Sequence, residues 1–362
     1  MSSNRIFNFS AGPAVMPLAV LEEAQRDLVA LPGVGMSVME ISHRSKTFEN
    51  LLAQAIDDIG ALAGLDAGYK ILMLQGGASL QFSMAPMNLL GAGQTADYID
   101  TGSWADKAAK EAARVGTINI TGSTKADNYT RIPTAQELKL TDGAAYVHIT
   151  TNNTIEGTEW KALPEVGEAP LVADASSNIF SRPMEFRRFG LIYAGAQKNL
   201  GPSGLTLVIV REDLLARSPD SLPTMLNYKV QAENNSLYNT PPTFGVYTLG
   251  LTMKWLKSLG GLPGIAAINQ RKAGKLYAEI DRTGFYRGTA QKDSRSLMNV
   301  TFRLPDEALE KQFDKQATAA GLDGLKGHRS VGGMRASIYN AFPEEGVDAL
   351  VQFMREFERT RG

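Results

Sequence analysis

The 362-residue chain predicts an α/β protein, with a mostly parallel seven-stranded sheet in a large domain and a smaller α+β domain at the C-terminal end. Two patterns carry this expectation. Short, continuous apolar runs alternate with helix-prone stretches between residues 70 and 210, as in a parallel sheet covered on both faces. Beyond the breaker run Gly260-Gly261-Leu262-Pro263-Gly264 the pattern changes to amphipathic helices flanking an alternating strand.

The expected strands are Lys70–Leu74, Ala96–Ile99, Thr117–Ile120, Ala144–Ile149, Pro170–Ala173, Leu191–Ala194 and Leu205–Val210. Ala105–Val115 reads as a helix between two of them. Only GAQKNLGPSG separates the last pair, too short for a helical crossover, so the seventh strand should run antiparallel to the sixth. After the breakers, Ile265, Ile268, Ala273, Leu276, Tyr277 and Ile280 recur at helical spacing. Met298, Val300, Phe302 and Leu304 alternate as in a strand. Val347, Leu350, Val351, Met354 and Phe357 line one face of a closing helix. The expected division is an N-terminal segment 1–15 packing with the small domain, a large domain 16–262 and a small domain 263–362.

With 43% hydrophobic and 21% charged residues, the chain can build a large core. The net charge of -1 creates no field suited to nucleic acid or an acidic membrane. There is no cysteine, which removes disulfides, thiolate catalysis and cysteine-based metal sites. The start MSSNRIFNFS lacks the basic and apolar regions of a secretory signal, and no apolar run approaches the ~20 residues of a membrane span. The expectation is a soluble, cytoplasmic protein with no metal, no nucleic acid and no membrane partner.

Ligands of open α/β sheets bind beyond the carboxyl ends of the parallel strands, and unusual polar residues follow those ends one after another. Gly76-Gly77-Ala78-Ser79 follows the first strand and leads into a helix, whose free N–H groups suit a phosphate, although a plain strand-to-helix turn reads the same way. Trp104, after the second strand, offers a stacking surface or simply core packing. Strand four leads into Thr150-Thr151-Asn152-Asn153-Thr154, and strand five into Asp174, which suits a protonated ring nitrogen or a turn. Strand six leads into Gln197-Lys198. Among small residues the Lys198 amine has room to serve as a Schiff-base nucleophile, the alternative being a surface hairpin lysine. Two of the three histidines sit in one tripeptide, His43-Arg44-Ser45 and His328-Arg329-Ser330, and Arg335 follows nearby. Such pairs suit a phosphate or carboxylate, or are solvated. His148, inside an apolar strand, reads as packing.

The segments FNFSAGPA (Phe7–Ala14), SHRSK (Ser42–Lys46), GGAS (Gly76–Ser79), TGSWA (Thr101–Ala105), NNTIEGT (Asn152–Thr158), DASS (Asp174–Ser177), AGAQKNLGPSG (Ala194–Gly204), NTPPTF (Asn239–Phe244) and GHRSVGGMRASIYNA (Gly327–Ala341) resemble the phosphoserine aminotransferases. These are class-V aminotransferases of the fold type I group of pyridoxal-phosphate-dependent transferases. The resemblance implies pyridoxal 5'-phosphate held by Lys198, which then moves the proton. It implies Asp174 on the pyridine nitrogen, Trp104 stacked on the ring and Thr154 on the phenolic oxygen. Ala78, Ser79 and Gln197 would bind the cofactor phosphate, joined by Asn239 and Thr240 of a neighbouring subunit in a homodimer with shared sites. Arg335 would take the substrate α-carboxylate. His43, Arg44, His328 and Arg329 would take the phosphate of phosphoserine or the side-chain carboxylate of glutamate. Some members carry Gly-Arg at Ala78-Ser79, so one basic contact is missing here, and Ala11 replaces a serine. The implied reaction is ping-pong transfer between O-phospho-L-serine and 2-oxoglutarate in L-serine biosynthesis, with 4-phosphohydroxy-L-threonine in pyridoxine biosynthesis as a second substrate. The rivals are a cysteine desulfurase, which needs the thiol this chain lacks, a serine–pyruvate or alanine–glyoxylate aminotransferase, and a non-catalytic ligand-binding protein.

Overall fold

Seven apolar segments become the strands of one sheet: β1 (Tyr69–Leu74), β2 (Thr95–Asp100), β3 (Thr117–Ser123), β4 (Val147–Thr150), β5 (Leu171–Asp174), β6 (Phe189–Gly195) and β7 (Thr206–Arg211). This is a computed structural model, and it describes residues 5–361. Residues 1–4 of the expected N-terminal segment lie outside the described residues.

The spatial order is β1-β7-β6-β5-β4-β2-β3. Only β7 is antiparallel to its neighbours β1 and β6, so the short β6–β7 connection reverses the chain as its length requires. Neighbouring residues alternate between two cores. Ala173, Ile192 and Ile209 face helices α1 (Lys46–Ala63) and α4 (Thr243–Ser258), whereas Val172, Tyr193 and Val208 face α2 (Gly77–Leu89) and α3 (Ser103–Ala112). Burial on both faces is why the strands read as unbroken apolar runs. Ser45 caps α1 by accepting from the Phe48 N–H at 3.3 Å, and Gly64 ends it in the left-handed region at φ 62°.

One expectation needs correcting. Helices separate β1 from β2 and β2 from β3, but the later parallel strands are joined by irregular chain with only short 3₁₀ turns and a two-residue hairpin, Asn152–Asn153 against Thr158–Glu159. These connections carry Pro133, Pro164 and Pro183, which resist helix formation. Their face of the sheet is covered instead by α1 and α4, which come from before and after the strands in sequence.

The breaker run opens a helix. Gly260 adopts φ 86° ahead of α5 (Gly261–Ile280). Its first turns place Leu262 and Ile265 in the large core, while Ala273, Leu276 and Ile280 pack in a second one. That second core also holds β8 (Asn299–Arg303), α6 (Glu307–Ala319), β9 (Met334–Ser337) and α7 (Glu344–Arg361) through Phe302, Phe313, Ala336 and Met354. Phe9 is buried there too, and Phe7–Asn8 pair in parallel with Leu322–Asp323.

Candidate active site

The carboxyl ends of β1, β2, β4, β5 and β6 all open on one edge of the sheet, and β7 runs back from it. Lys198 stands three residues beyond β6, half-buried. Its Nζ donates to Thr154 Oγ1 and Ser177 Oγ, both at 2.8 Å, and those hydroxyls contact each other at 2.6 Å. Thr154 follows β4 and Ser177 follows β5, so three strand ends converge on one amine. Burial presses that amine down to about 8; Asp174 opposes the shift and Arg335 adds to it. An amine so placed is a nucleophile near neutral pH.

Asp174 ends β5 and is only 5% exposed. Its Oδ1 accepts from the Ser176 N–H at 2.9 Å and the Ser176 hydroxyl at 2.6 Å, and Ser176 Oγ in turn accepts from the Gly195 N–H at 3.1 Å. Burial raises the Asp174 pKa, opposed by the charge of Lys198. The carboxylate is therefore buried and rigidly oriented, with Oδ2 free of any hydrogen bond among the described residues. Such a group can hold a protonated heterocyclic nitrogen.

Gly76 and Gly77 make the left-handed turn from β1 into α2, at φ 86° and 65°. At Gly76 a Cβ would stand 2.5 Å from the Leu80 side chain, so this turn admits glycine alone. Ala78 and Ser79 then occupy the first turn of α2, where N–H groups have no helical acceptor and the helix dipole favours an anion. Gln197 lies between Lys198 and the N-terminal segment, and its carbonyl accepts from the Ala14 N–H at 2.8 Å. Trp104, in the first turn of α3, is half-buried. Its Nε1–H is buried without a partner, and Lys107 Nζ lies 4.1 Å from its ring centre.

Arg335 lies on β9, opposite Thr301 of β8, half-buried and with Nε unpartnered. Burial lowers its pKa. His328 donates to or accepts from Ser330 Oγ at 2.7 Å, and burial together with the charges of Arg335, Arg329 and Lys107 lowers its pKa. Those four cationic or cationisable groups share one region, the arrangement an anion site requires. His148 stacks on Tyr98 at 4.8 Å and shares a hydrogen bond with the Tyr193 hydroxyl at 2.8 Å, a packing role as its apolar strand implied.

The other expected residues stand apart. Among the described residues, His43, Arg44, Asn239 and Thr240 make no hydrogen bond or ion pair with any group around Lys198. Arg44 and Thr240 are exposed, and His43 Nε2 is buried without a partner. Sequence reasoning passed over Ser176, Ser177 and Asn199. Asn199 Nδ2 donates to the carbonyls of Ser177 and Ile179, both at 3.2 Å, while its Oδ1 accepts from the Asn340 N–H at 3.0 Å. It thus ties the turn after β6 to the small core. The one signal for the serines was their place directly after Asp174 in the run DASS.

Residues 6–350 match the family Aminotransferase class-V. A phosphoserine aminotransferase from Herpetosiphon aurantiacus is 56% identical over 358 residues, 99% of each chain. The structure of the phosphoserine aminotransferase from Bacillus circulans subsp. alkalophilus superposes with a TM-score of 0.98 at 55% identity, covering 99% of this chain and 100% of that one. A PLP-bound phosphoserine aminotransferase from Trichomonas vaginalis superposes at 0.93 with 41% identity, covering 97% and 100%.

Proposed function

Because this chain belongs to the phosphoserine aminotransferases of the class-V aminotransferase family, we propose that it transfers the amino group between O-phospho-L-serine and 2-oxoglutarate. The products are 3-phosphooxypyruvate and glutamate, formed by a ping-pong mechanism in L-serine biosynthesis. The observation that supports this most directly is the buried Lys198–Asp174 pair at adjoining strand ends, beside a helix N-terminus and a cluster of cations.

Pyridoxal 5'-phosphate fits the chemistry of these residues: the Lys198 amine would hold its aldehyde carbon, the open oxygen of Asp174 its pyridine nitrogen, and the first turn of α2 its phosphate. When bound, the cofactor supplies an electron sink and a carrier for the amino group. Lys198 would hold it covalently, and the freed amine would then move the proton on the substrate α-carbon. Thr154 and Ser177 can each accept from an ammonium or donate to an amine, so they keep Nζ oriented in either protonation state. Asp174, largely withdrawn from water, would keep the ring nitrogen protonated. Trp104 would cover one face of the ring, and Ala78, Ser79 and Gln197 would bind the phosphate.

Arg335 would take the substrate α-carboxylate. The second substrate anion would meet His328 and Arg329 of one subunit and His43 and Arg44 of another. The separation of Arg44, Asn239 and Thr240 from Lys198 within one chain supports a homodimer in which those residues complete the neighbouring site. Exposed Val29, Met36 and Met39 lie close in sequence to His43 and give such a dimer apolar surface to bury. The reading includes a cytoplasmic location and, as a second substrate, 4-phosphohydroxy-L-threonine.

A coupled assay comparing phosphoserine with serine as amino donor tests the assignment. Phosphoserine should be preferred by at least about 10³-fold in kcat/KM, since serine leaves the charge-assisted hydrogen bonds to the phosphate unmade. Arg44→Ala and Arg329→Ala should each raise KM for both phosphoserine and glutamate by about 10-fold or more. Equal use of serine would favour the alanine–glyoxylate type of activity instead.

A further inference from the structure

Glu156 lies outside every role given above, yet it is 7% exposed and at the centre of the site's wall. It belongs to the turn that carries Thr154, between the strands Asn152–Asn153 and Thr158–Glu159. Its Oε1 accepts from the Ser103 N–H at 2.8 Å and the Ser103 hydroxyl at 2.6 Å. Ser103 is the first residue of α3, and Trp104 the next. The backbone carbonyl of Glu156 accepts from Thr301 Oγ1 at 3.0 Å, beside Arg335 on the neighbouring strand. One residue therefore joins the turn of Thr154, the helix start of Trp104 and the strand opposite Arg335.

The second carboxyl oxygen explains its chemistry. Glu156 Oε2 and Asn153 Oδ1 are both buried without a partner. A Cβ on Gly102 would lie 2.7 Å from the first and 2.6 Å from the second, so both oxygens border the space beside Gly102 and no larger residue fits there. Asn153 already donates from Nδ2 to the hydroxyls of Thr101 at 3.0 Å and Thr158 at 3.2 Å. Two buried acceptors that border one small space are poorly matched unless a hydrogen stands between them, and a protonated Glu156 carboxyl supplies one. Burial raises its pKa and the nearby charge of Asp100 adds to that, against the Ser103 hydrogen bonds. The other charged or ionisable groups within electrostatic reach are Arg335 and the Tyr129 hydroxyl, the latter donating to Asp100 Oδ2 at 2.9 Å.

We propose that Glu156, as a neutral carboxylic acid, is the positioning residue that clamps the Gly102–Ser103 turn and sets Trp104 against the cofactor. This rests on the reading that Trp104 stacks on the ring. Glutamine reproduces such an acid closely: its amide oxygen accepts from Ser103 and its NH₂ donates to Asn153 Oδ1. Alanine does neither. Ser103→Ala removes one of the two donors while leaving the backbone N–H, and it serves if Glu156→Ala fails to fold.

The experiment measures the dissociation constant of pyridoxal phosphate from the holoenzyme, with the visible circular dichroism of the bound cofactor as a second readout. Glu156→Ala should weaken binding by about tenfold and diminish the dichroic band, Ser103→Ala by less, and Glu156→Gln should stay within about twofold of the parent. A loss in Glu156→Gln equal to that in Glu156→Ala overturns the proposal, because a charged carboxylate would then be what acts. Weakening in Trp104→Ala without any in Glu156→Ala or Ser103→Ala also overturns it, leaving the stacking role intact. No weakening in Trp104→Ala removes the stacking role and the proposal together.

Discussion

Two lysines of this chain are withdrawn from water and meet opposite surroundings. Lys198, at the sheet edge, touches two hydroxyls at 2.8 Å and feels one carboxylate. Lys272, in α5, is fully buried and donates to the backbone carbonyls of Ile338, Tyr339, Asn340 and Phe342 at 2.7 to 3.4 Å. Burial presses its amine down to about 7. Yet four carbonyls can only accept, and an uncharged amine has two hydrogens for them, so this cage favours the ammonium. Hydroxyls accept from an ammonium and donate to an amine equally well. The difference teaches which buried lysine can do chemistry: the one whose partners tolerate loss of its proton.

The comparison can be broken in three ways. Replacing Lys198 with Ala should lower turnover by roughly 10⁴-fold or more and abolish borohydride-stable attachment of the cofactor, with the fold retained; attachment at Lys272 or elsewhere would sink the assignment. Replacing Lys272 with Met should take its donor from four carbonyls, of which Tyr339 keeps another from the Phe342 N–H, and destabilise the protein by about 3–5 kcal/mol in chemical denaturation. A loss below about 1 kcal/mol would mean that the cage does not matter.

The smallest effect concerns the hydroxyls. Covalent loading of Lys198 with pyridoxal phosphate should accelerate as pH rises through about 8, since its depressed pKa makes the free amine the majority form above that point. Because the Ser177 hydroxyl serves ammonium and amine alike, Ser177→Ala should leave the midpoint within about one unit of the parent's. A midpoint near the ordinary lysine value of about 10.4 in the parent protein would contradict the buried-amine description.

Much of the site was legible before any coordinates. Lys198, Asp174 and Thr154 each follow an unbroken apolar run, and such runs end at the ligand-binding edge of a parallel sheet. The repeated His-Arg-Ser tripeptide drew notice to two segments by its rarity, and the second of them lies near Arg335. Ser177, Asn199 and Glu156 escaped, because a serine, asparagine or glutamate in a polar turn looks the same whether it faces solvent or a buried amine. Their partners are remote: Asn340 is 141 positions from Asn199, and Ser103 is 53 from Glu156. The later crossovers were also misread as helical, since apolar strands with polar stretches between them do not reveal which helix covers a face.

Local chemistry in the amino-acid order decided the strands, the reversal of β7 and the strand-end residues, for periodicity and loop length act over a few positions. Tertiary packing alone decided strand order, the choice of α1 and α4 as the cover for one face, and the burial that shifts the pKa values of Lys198, Lys272 and Glu156. A pKa answers to burial and to whichever dipoles the fold brings within a few ångströms, and no sequence pattern records that distance.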